Sequence, residues 1–157
     1  MPAASPQKVD LNELLQSVAD LFGAETNGKV VYKAALPSRI VSVDKTSLSR
    51  AISNIIINAL QAKKEGQVNL EVTITTNITN RVAITSIHDN GKGMESDVRE
   101  KAFEPQFTTK HSGSGLGLAM TKQIVMQAGG KIWFESARDT GTTFFIELPL
   151  HDEGMPS

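Results

Sequence analysis

Cysteine is missing from the chain altogether, which excludes disulfide scaffolds, thiolate zinc sites and cysteine nucleophiles at once. An excess of either charge is missing too: 16 Lys+Arg stand against 17 Asp+Glu, for a net charge of −1. A chain without a basic face does not neutralise phosphates along a nucleic acid, so no such partner is expected. No apolar run approaches the ~20 residues that span a bilayer, and the first seven residues lack the charged and apolar regions of a signal peptide. The expectation is a cytoplasmic chain with no membrane span. What is present is 157 residues of 39% hydrophobic content with 12 Gly and 6 Pro. That is enough for one folded domain burying roughly two thirds of its unfolded surface, and too apolar for a disordered chain.

Residues 1–8 are small, polar and Pro-containing, and read as a linker or terminal remnant; residues 9–150 read as the domain and residues 151–157 as a flexible tail. In residues 9–22, Leu11, Leu14, Leu15, Val18, Leu21 and Phe22 recur at helical spacing behind a cap at Asp10. Residues 29–35 and 39–43 are short and β-prone, and the Pro37-Ser38 pair between them predicts a hairpin. Residues 44–64 carry the longest helical pattern, with Asp44 as N-cap, Lys63 and Lys64 in the last turn and Gly66 just beyond. Strands follow at 68–78 and 81–88, then a long stretch, 89–117, with little regular structure beyond a short helix near 97–102. A helix over 116–128 and a hairpin of 131–136 with 142–150 complete the order. Strands mostly adjoin strands, which predicts a mixed sheet covered by helices on one face.

Three motifs carry chemistry. Asn54 and Asn58 lie four residues apart, hence on one helix face, among Ile52, Ile55, Ile56 and Ile57. A carboxamide left unsatisfied in such surroundings costs roughly 1–3 kcal/mol. One use is as a neutral oxygen ligand for magnesium, which takes few protein ligands plus phosphate oxygens; the other reading is a pair facing water at the helix edge. Asp89-Asn90-Gly91-Lys92-Gly93-Met94 follows a strand directly, so its acid can sit at a pocket floor and its glycines can let backbone approach a flat ligand. A carboxylate only accepts hydrogen bonds, which suits an exocyclic amine such as adenine's; an ordinary Asp-Asn-Gly turn is the alternative. Gly113-Ser114-Gly115-Leu116-Gly117-Leu118 opens a helix, where free N–H groups and the helix dipole favour phosphate, with Lys110 and His111 just upstream; a flexible linker is the alternative. The near P-loop of residues 23–30 ends in Val30 where a magnesium-binding Ser or Thr is required, and is rejected.

In their order and separation these pieces resemble the ATP-binding catalytic domain of bacterial sensor histidine kinases, within the superfamily of DNA gyrase, MutL and the heat-shock chaperone ATPases. Asn54-Ile55-Ile56-Ile57-Asn58-Ala59 resembles the N box, and Asp89 to Met94 the first glycine box. Phe103-Glu104-Pro105-Gln106-Phe107-Thr108-Thr109-Lys110 resembles the F box, Gly113 to Leu118 the second glycine box, and Gly141-Thr142-Thr143-Phe144 the terminal strand. The resemblance implies the Bergerat fold, a two-layer α/β (α+β) sandwich with a mixed five-stranded sheet under about three helices. It implies ATP and Mg²⁺, with Asn58 on the metal and Asn54 lining the same side. Asp89 would take the adenine amine, helped by Thr142 through an ordered water; Gly91 and Gly93 would shape the base pocket, with Met94 packed near it. The segment from 103 to 114, with Phe107, would form a mobile lid and Lys110 would reach phosphate. Gly113, Gly115, Leu116, Gly117 and Leu118 would supply backbone contacts to the phosphates.

Two departures from that superfamily bear on the chemistry. Members that hydrolyse ATP carry a glutamate base where Asn54 stands, so hydrolysis is expected to be weak. His88, His111 and His151 do not lie in the H-E/D motif of an acceptor helix. The resemblance therefore implies the catalytic half of a histidine protein kinase, not autophosphorylating alone. Its partners would be the histidine-bearing dimerisation domain of the same parent and a downstream response regulator. Whether that parent is membrane-anchored stays open, and a serine kinase of the anti-sigma-factor type is the competing assignment.

Overall fold

The structure is a computed structural model that describes residues 5–23, 28–33, 39–104 and 114–151. A short strand, β1 (Gln7–Asp10), leads straight into helix α1 (Leu11–Leu21). Asp10 ends the one and caps the other, its carboxylate accepting the Glu13 N–H at 3.1 Å. The helix buries Leu11, Leu14, Leu15 and Val18 of the predicted stripe, together with Ala19, whereas Leu21 at its last position is 77% exposed. β2 (Lys29–Lys33) and β3 (Ile40–Val43) follow, and then helix α2 (Lys45–Gln61), where Asp44 accepts the Ser47 N–H at 2.9 Å.

The long meander is β4 (Glu71–Thr79) and β5 (Val82–Asp89), then helices α3 (Ser96–Lys101) and α4 (Ser114–Gln127), then β6 (Lys131–Ala137) and β7 (Gly141–Pro149). The strands form a five-stranded sheet in the order β2-β4-β5-β7-β6. β2 runs parallel to β4 and every other pair is antiparallel, so the sheet is mixed, as expected. Alternation sends Val72, Ile74 and Thr76 of β4, Ala83, Thr85 and Ile87 of β5, and Phe144, Ile146 and Leu148 of β7 to one buried face. There they meet Leu15 of α1, Ile52, Ile55 and Ile56 of α2 and Val125 of α4 in one core. Trp133 stacks on its register partner Phe145 on the opposite face, with ring centroids 5.3 Å apart.

Two expectations fail, both for non-local reasons. β2 and β3 do not form a hairpin: β2 sets Val30 and Tyr32 beside Val72 and Ile74 of β4, whereas β3 pairs antiparallel with β1 in a separate two-stranded sheet. Val41 and Val43 are buried there beside Val9, a burial that pairing with β2 would not supply. That pairing also starts regular structure at Gln7, two residues inside the stretch read as a linker. The second failure is the end of α2. It closes at Gln61 with Ala62 as C-cap, leaving no basic residue in its last turn, because the Ala62 carbonyl accepts the Lys92 N–H from the loop after β5 at 2.7 Å.

Candidate functional site

The alternation that buries Ala83, Thr85 and Ile87 continues one step and carries Asp89 onto the same face, where it is only 3% exposed. A carboxylate in that position resists ionisation. Burial, the largest influence, pushes its pKa above the ordinary carboxylate value; the Gly91 N–H, the charge of His88 and the Thr142 backbone N–H pull the other way. The Gly91 N–H donates to Asp89 Oδ1 at 2.8 Å. Thr142 of β7 is the register partner of Asp89, and Ser136 of β6 is the register partner of Thr142, so three polar side chains form a row across three strands.

The loop after Asp89 is held from both sides. Its Lys92 N–H reaches Ala62 at the end of α2, and a Cβ at Gly91 would lie 2.3 Å from that same carbonyl oxygen, so only glycine allows the approach. Gly93 adopts φ +73°, and a Cβ there would lie 2.1 Å from the Ala137 carbonyl oxygen of β6. Asn90 faces away from this work. Its Oδ1 accepts the Glu71 N–H at 2.8 Å and its Nδ2 donates to the Asn69 carbonyl at 3.2 Å, pinning the connection between α2 and β4.

Between this loop, α2 and α4 opens a cavity of about 740 Å³. Of the residues predicted from the sequence, Asn58, Asp89, Gly93, Met94, Leu118 and Thr142 line it. Gly91 does not; it acts behind the wall, through its close approach to Ala62. Asn58 Nδ2 donates to the Asn54 carbonyl at 3.0 Å, and the residue lines the cavity. Asn54 sits one turn earlier, its Nδ2 buried with no partner among the described residues. Gly115, Leu116 and Gly117 fall in the first turn of α4, which starts at Ser114, two residues before the predicted start. Phe107, Lys110 and Gly113 lie outside the described residues. Phe103, at the head of that segment, is anchored beside the cavity: its ring lies 5.5 Å from Phe134 and 6.3 Å from the cavity-lining Phe144.

Sequence reasoning missed several members of the site. Ile55, Ala59 and Ile87 form apolar wall, and Lys92, Glu95 and Arg138 line it as charged residues, with Arg138 Nε 3.2 Å from Glu95 Oε1. Ile55 and Ala59 stand in the motif around Asn58, but nothing in the sequence says what they face; Arg138 carried no signal, because only the β6–β7 turn brings it to the loop after β5.

The family described as histidine kinase-, DNA gyrase B-, and HSP90-like ATPases matches residues 43–152. The chain belongs to this family. Within it, the chain is the ATP-binding catalytic domain of a two-component sensor histidine kinase. It is 33% identical over 152 residues to the signal transduction histidine-protein kinase AtoS of Escherichia coli (strain K12), covering 94% of this chain and 24% of the relative. The chain thus spans about a quarter of that relative's length. Among solved structures, the catalytic domain of histidine kinase ThkA superposes with a TM-score of 0.80 at 30% identity, covering 92% of this chain and 95% of that one. A second ThkA structure, in complex with response regulator protein TrrA, matches with a TM-score of 0.74 at 27% identity, covering 97% of this chain and 44% of that one. No helix among the described residues is long and apolar enough to cross a membrane. The resemblance drawn from the motifs and the mixed sheet under its helices are both borne out.

Proposed function

We propose that the cavity between α2, α4 and the loop after β5 holds Mg-ATP. The adenine amine donates to Asp89, and the γ-phosphoryl group is presented to a histidine on a separate helical dimerisation domain. The observation that carries this reading is the buried acid at the cavity floor: Asp89 is 3% exposed, lines the cavity with Ile55, Ala59 and Ile87, and as a carboxylate accepts hydrogen bonds, which suits an amine. The phosphates then lie toward Asn58 and the N-terminal turn of α4, since the N–H groups and the dipole of a helix N-terminus suit anions. Lys110 and Phe107 would join from the segment between α3 and α4.

Magnesium fits what Asn58 offers. No cluster of three His, Asp or Glu exists among the described residues to hold a bare ion, so a metal here brings its own phosphate ligands and takes one neutral oxygen. Bound there, it would neutralise charge building up on the phosphates. Asn54 Nδ2, a buried donor in want of an acceptor, is suited to a phosphate oxygen or a metal-bound water. The carboxamide of Asn54 is no base and activates no water, which favours transfer over hydrolysis. In the transfer, an imidazole nitrogen of the acceptor histidine bonds to the γ-phosphorus as its bond to the β,γ-bridging oxygen breaks, and ADP departs. Alone, the domain would not autophosphorylate. The phosphoryl group would pass onward to a response regulator, the kind of partner with which ThkA was crystallised. On this reading the domain works in the cytoplasm, where ATP is held.

The test is a melting curve. At a hundred times Kd, Mg-ADP adds about 2.7 kcal/mol to the wild type, and Asp89→Asn loses that increment; equal curves for both proteins with and without nucleotide would sink the reading. Mixing with a histidine-bearing helical partner and labelled ATP separates the kinase types, since phosphohistidine is acid-labile and the phosphoserine of an anti-sigma-type kinase is not.

A further inference from the structure

The hydroxyl of Ser136 has one proton and three neighbours that compete for the group. The Met94 N–H donates to Ser136 Oγ at 2.9 Å; Thr142 Oγ1 lies 2.8 Å away, and the Gly141 carbonyl oxygen 3.3 Å away. The Ser136–Thr142 contact has the length of one ordinary O–H···O bond and uses one proton, from either partner. If Thr142 supplies it, Thr142 has nothing left to donate into the cavity that it lines. If Ser136 supplies it, the threonine proton is free for the cavity. With Thr142 donating to Ser136, the serine proton goes to Gly141 through the longer contact; when an acceptor sits in the cavity, turning the serine proton to Thr142 gives up only that longer contact and frees the threonine proton for the acceptor.

We propose that Ser136 is a positioning residue that sets the direction in which Thr142 donates, and thereby the preference for a purine whose ring nitrogen accepts beside an exocyclic amine. This rests on reading the cavity as the adenine site. Adenine presents an N–H donor and a ring-nitrogen acceptor side by side. Ionised Asp89 can serve only the first. The second needs a donor, which Thr142 supplies only while Ser136 points at it. The Met94 N–H couples that orientation to the loop carrying Gly93, so base edge and loop position are set together.

The experiment is binding calorimetry on the intact domain with Mg-ADP and with Mg-1-deaza-ADP, in which a C–H replaces the ring nitrogen. The wild type prefers ADP by roughly fivefold, the value of one hydrogen bond. Ser136→Ala brings the ratio toward one, on top of whatever equal loss both nucleotides suffer from the freed Met94 N–H. Ser136→Thr, which keeps the hydroxyl, keeps the ratio. Ser136→Cys, a weaker donor of similar shape, gives an intermediate ratio and serves in place of an alanine variant that does not fold. A wild type indifferent to the ring nitrogen overturns the proposal, as does an alanine or cysteine variant with the wild-type ratio or with both nucleotides weakened alike. A wild type that binds no ADP overturns the adenine reading of the cavity itself.

Discussion

Asp89 acts against the stability of the empty domain. Its pKa lies above the ordinary carboxylate value because burial outweighs its hydrogen bonds, so the folded state holds its proton more tightly than the unfolded chain does. Stability therefore falls as pH rises from the ordinary carboxylate value through the raised one, and the full penalty stays above it. Asp89→Asn removes the charge and can keep an acceptor for Gly91. Without nucleotide, the variant is expected to melt at or above the wild type on the alkaline side of that window, in melts run across pH; a lower melting point there would show that the acid stabilises the fold. The nearby glycine carries the opposite expectation. Gly93→Ala puts a Cβ into a left-handed backbone and against the Ala137 carbonyl, and should cost about 2 kcal/mol or more in urea unfolding. A silent substitution would mean that the loop is free to shift.

At the scale of elements, two aspartates do the same job for α1 and α2. Asp10→Ala removes an N-cap and should cost about 1 kcal/mol, read by denaturant unfolding. Asp44 is the more connected cap: its carboxylate accepts the Ser5 N–H at 2.9 Å as well as that of Ser47, and these bonds hold its pKa below the ordinary value. Its sign is therefore the reverse of Asp89. The contribution is present above the ordinary carboxylate pKa and fades as pH falls through the lowered one, so Asp44→Ala should lower stability above that window, through loss of the cap, and flatten the acid limb of the stability curve. α2 itself joins core to site. Ile56, fully buried, faces the sheet while Asn58, two residues on, lines the cavity. Ile56→Ala should cost about 2–5 kcal/mol without abolishing the Mg-ADP shift of the fraction that folds, whereas Asn58→Ala should leave folding nearly intact and remove most of the magnesium dependence of that shift.

For the whole molecule, the mixed sheet serves to bring the ends of three strands to one edge. Asp89 ends β5, Thr142 begins β7 and Ser136 lies near the end of β6, so antiparallel register stacks residues far apart in the chain into a single polar row at the cavity. The helices contribute from above, α2 with Asn58 and α4 with Leu118. Chelating magnesium should stop phosphoryl transfer to an added acceptor domain while leaving the fold intact by circular dichroism. Transfer that survived chelation would argue against Asn58 as a metal ligand.

The amino-acid order by itself determined the local elements and the motifs from which the site is proposed. Caps at Asp10 and Asp44, most of the helical stripe of α1 and the place of Asp89 at the end of a strand are all short-range patterns, each legible because a side chain's neighbours within a turn or a strand suffice to place it. Only the tertiary structure decided which strand meets which. β2 goes to β4 and β3 to β1 because the matching apolar rows lie dozens of residues away, and α2 stops at Gln61 because Lys92 takes the next carbonyl. Ser136 was silent for the same reason: a serine on a strand gains its meaning from the hydroxyl placed opposite it, and that pairing exists only once β6 has found β7.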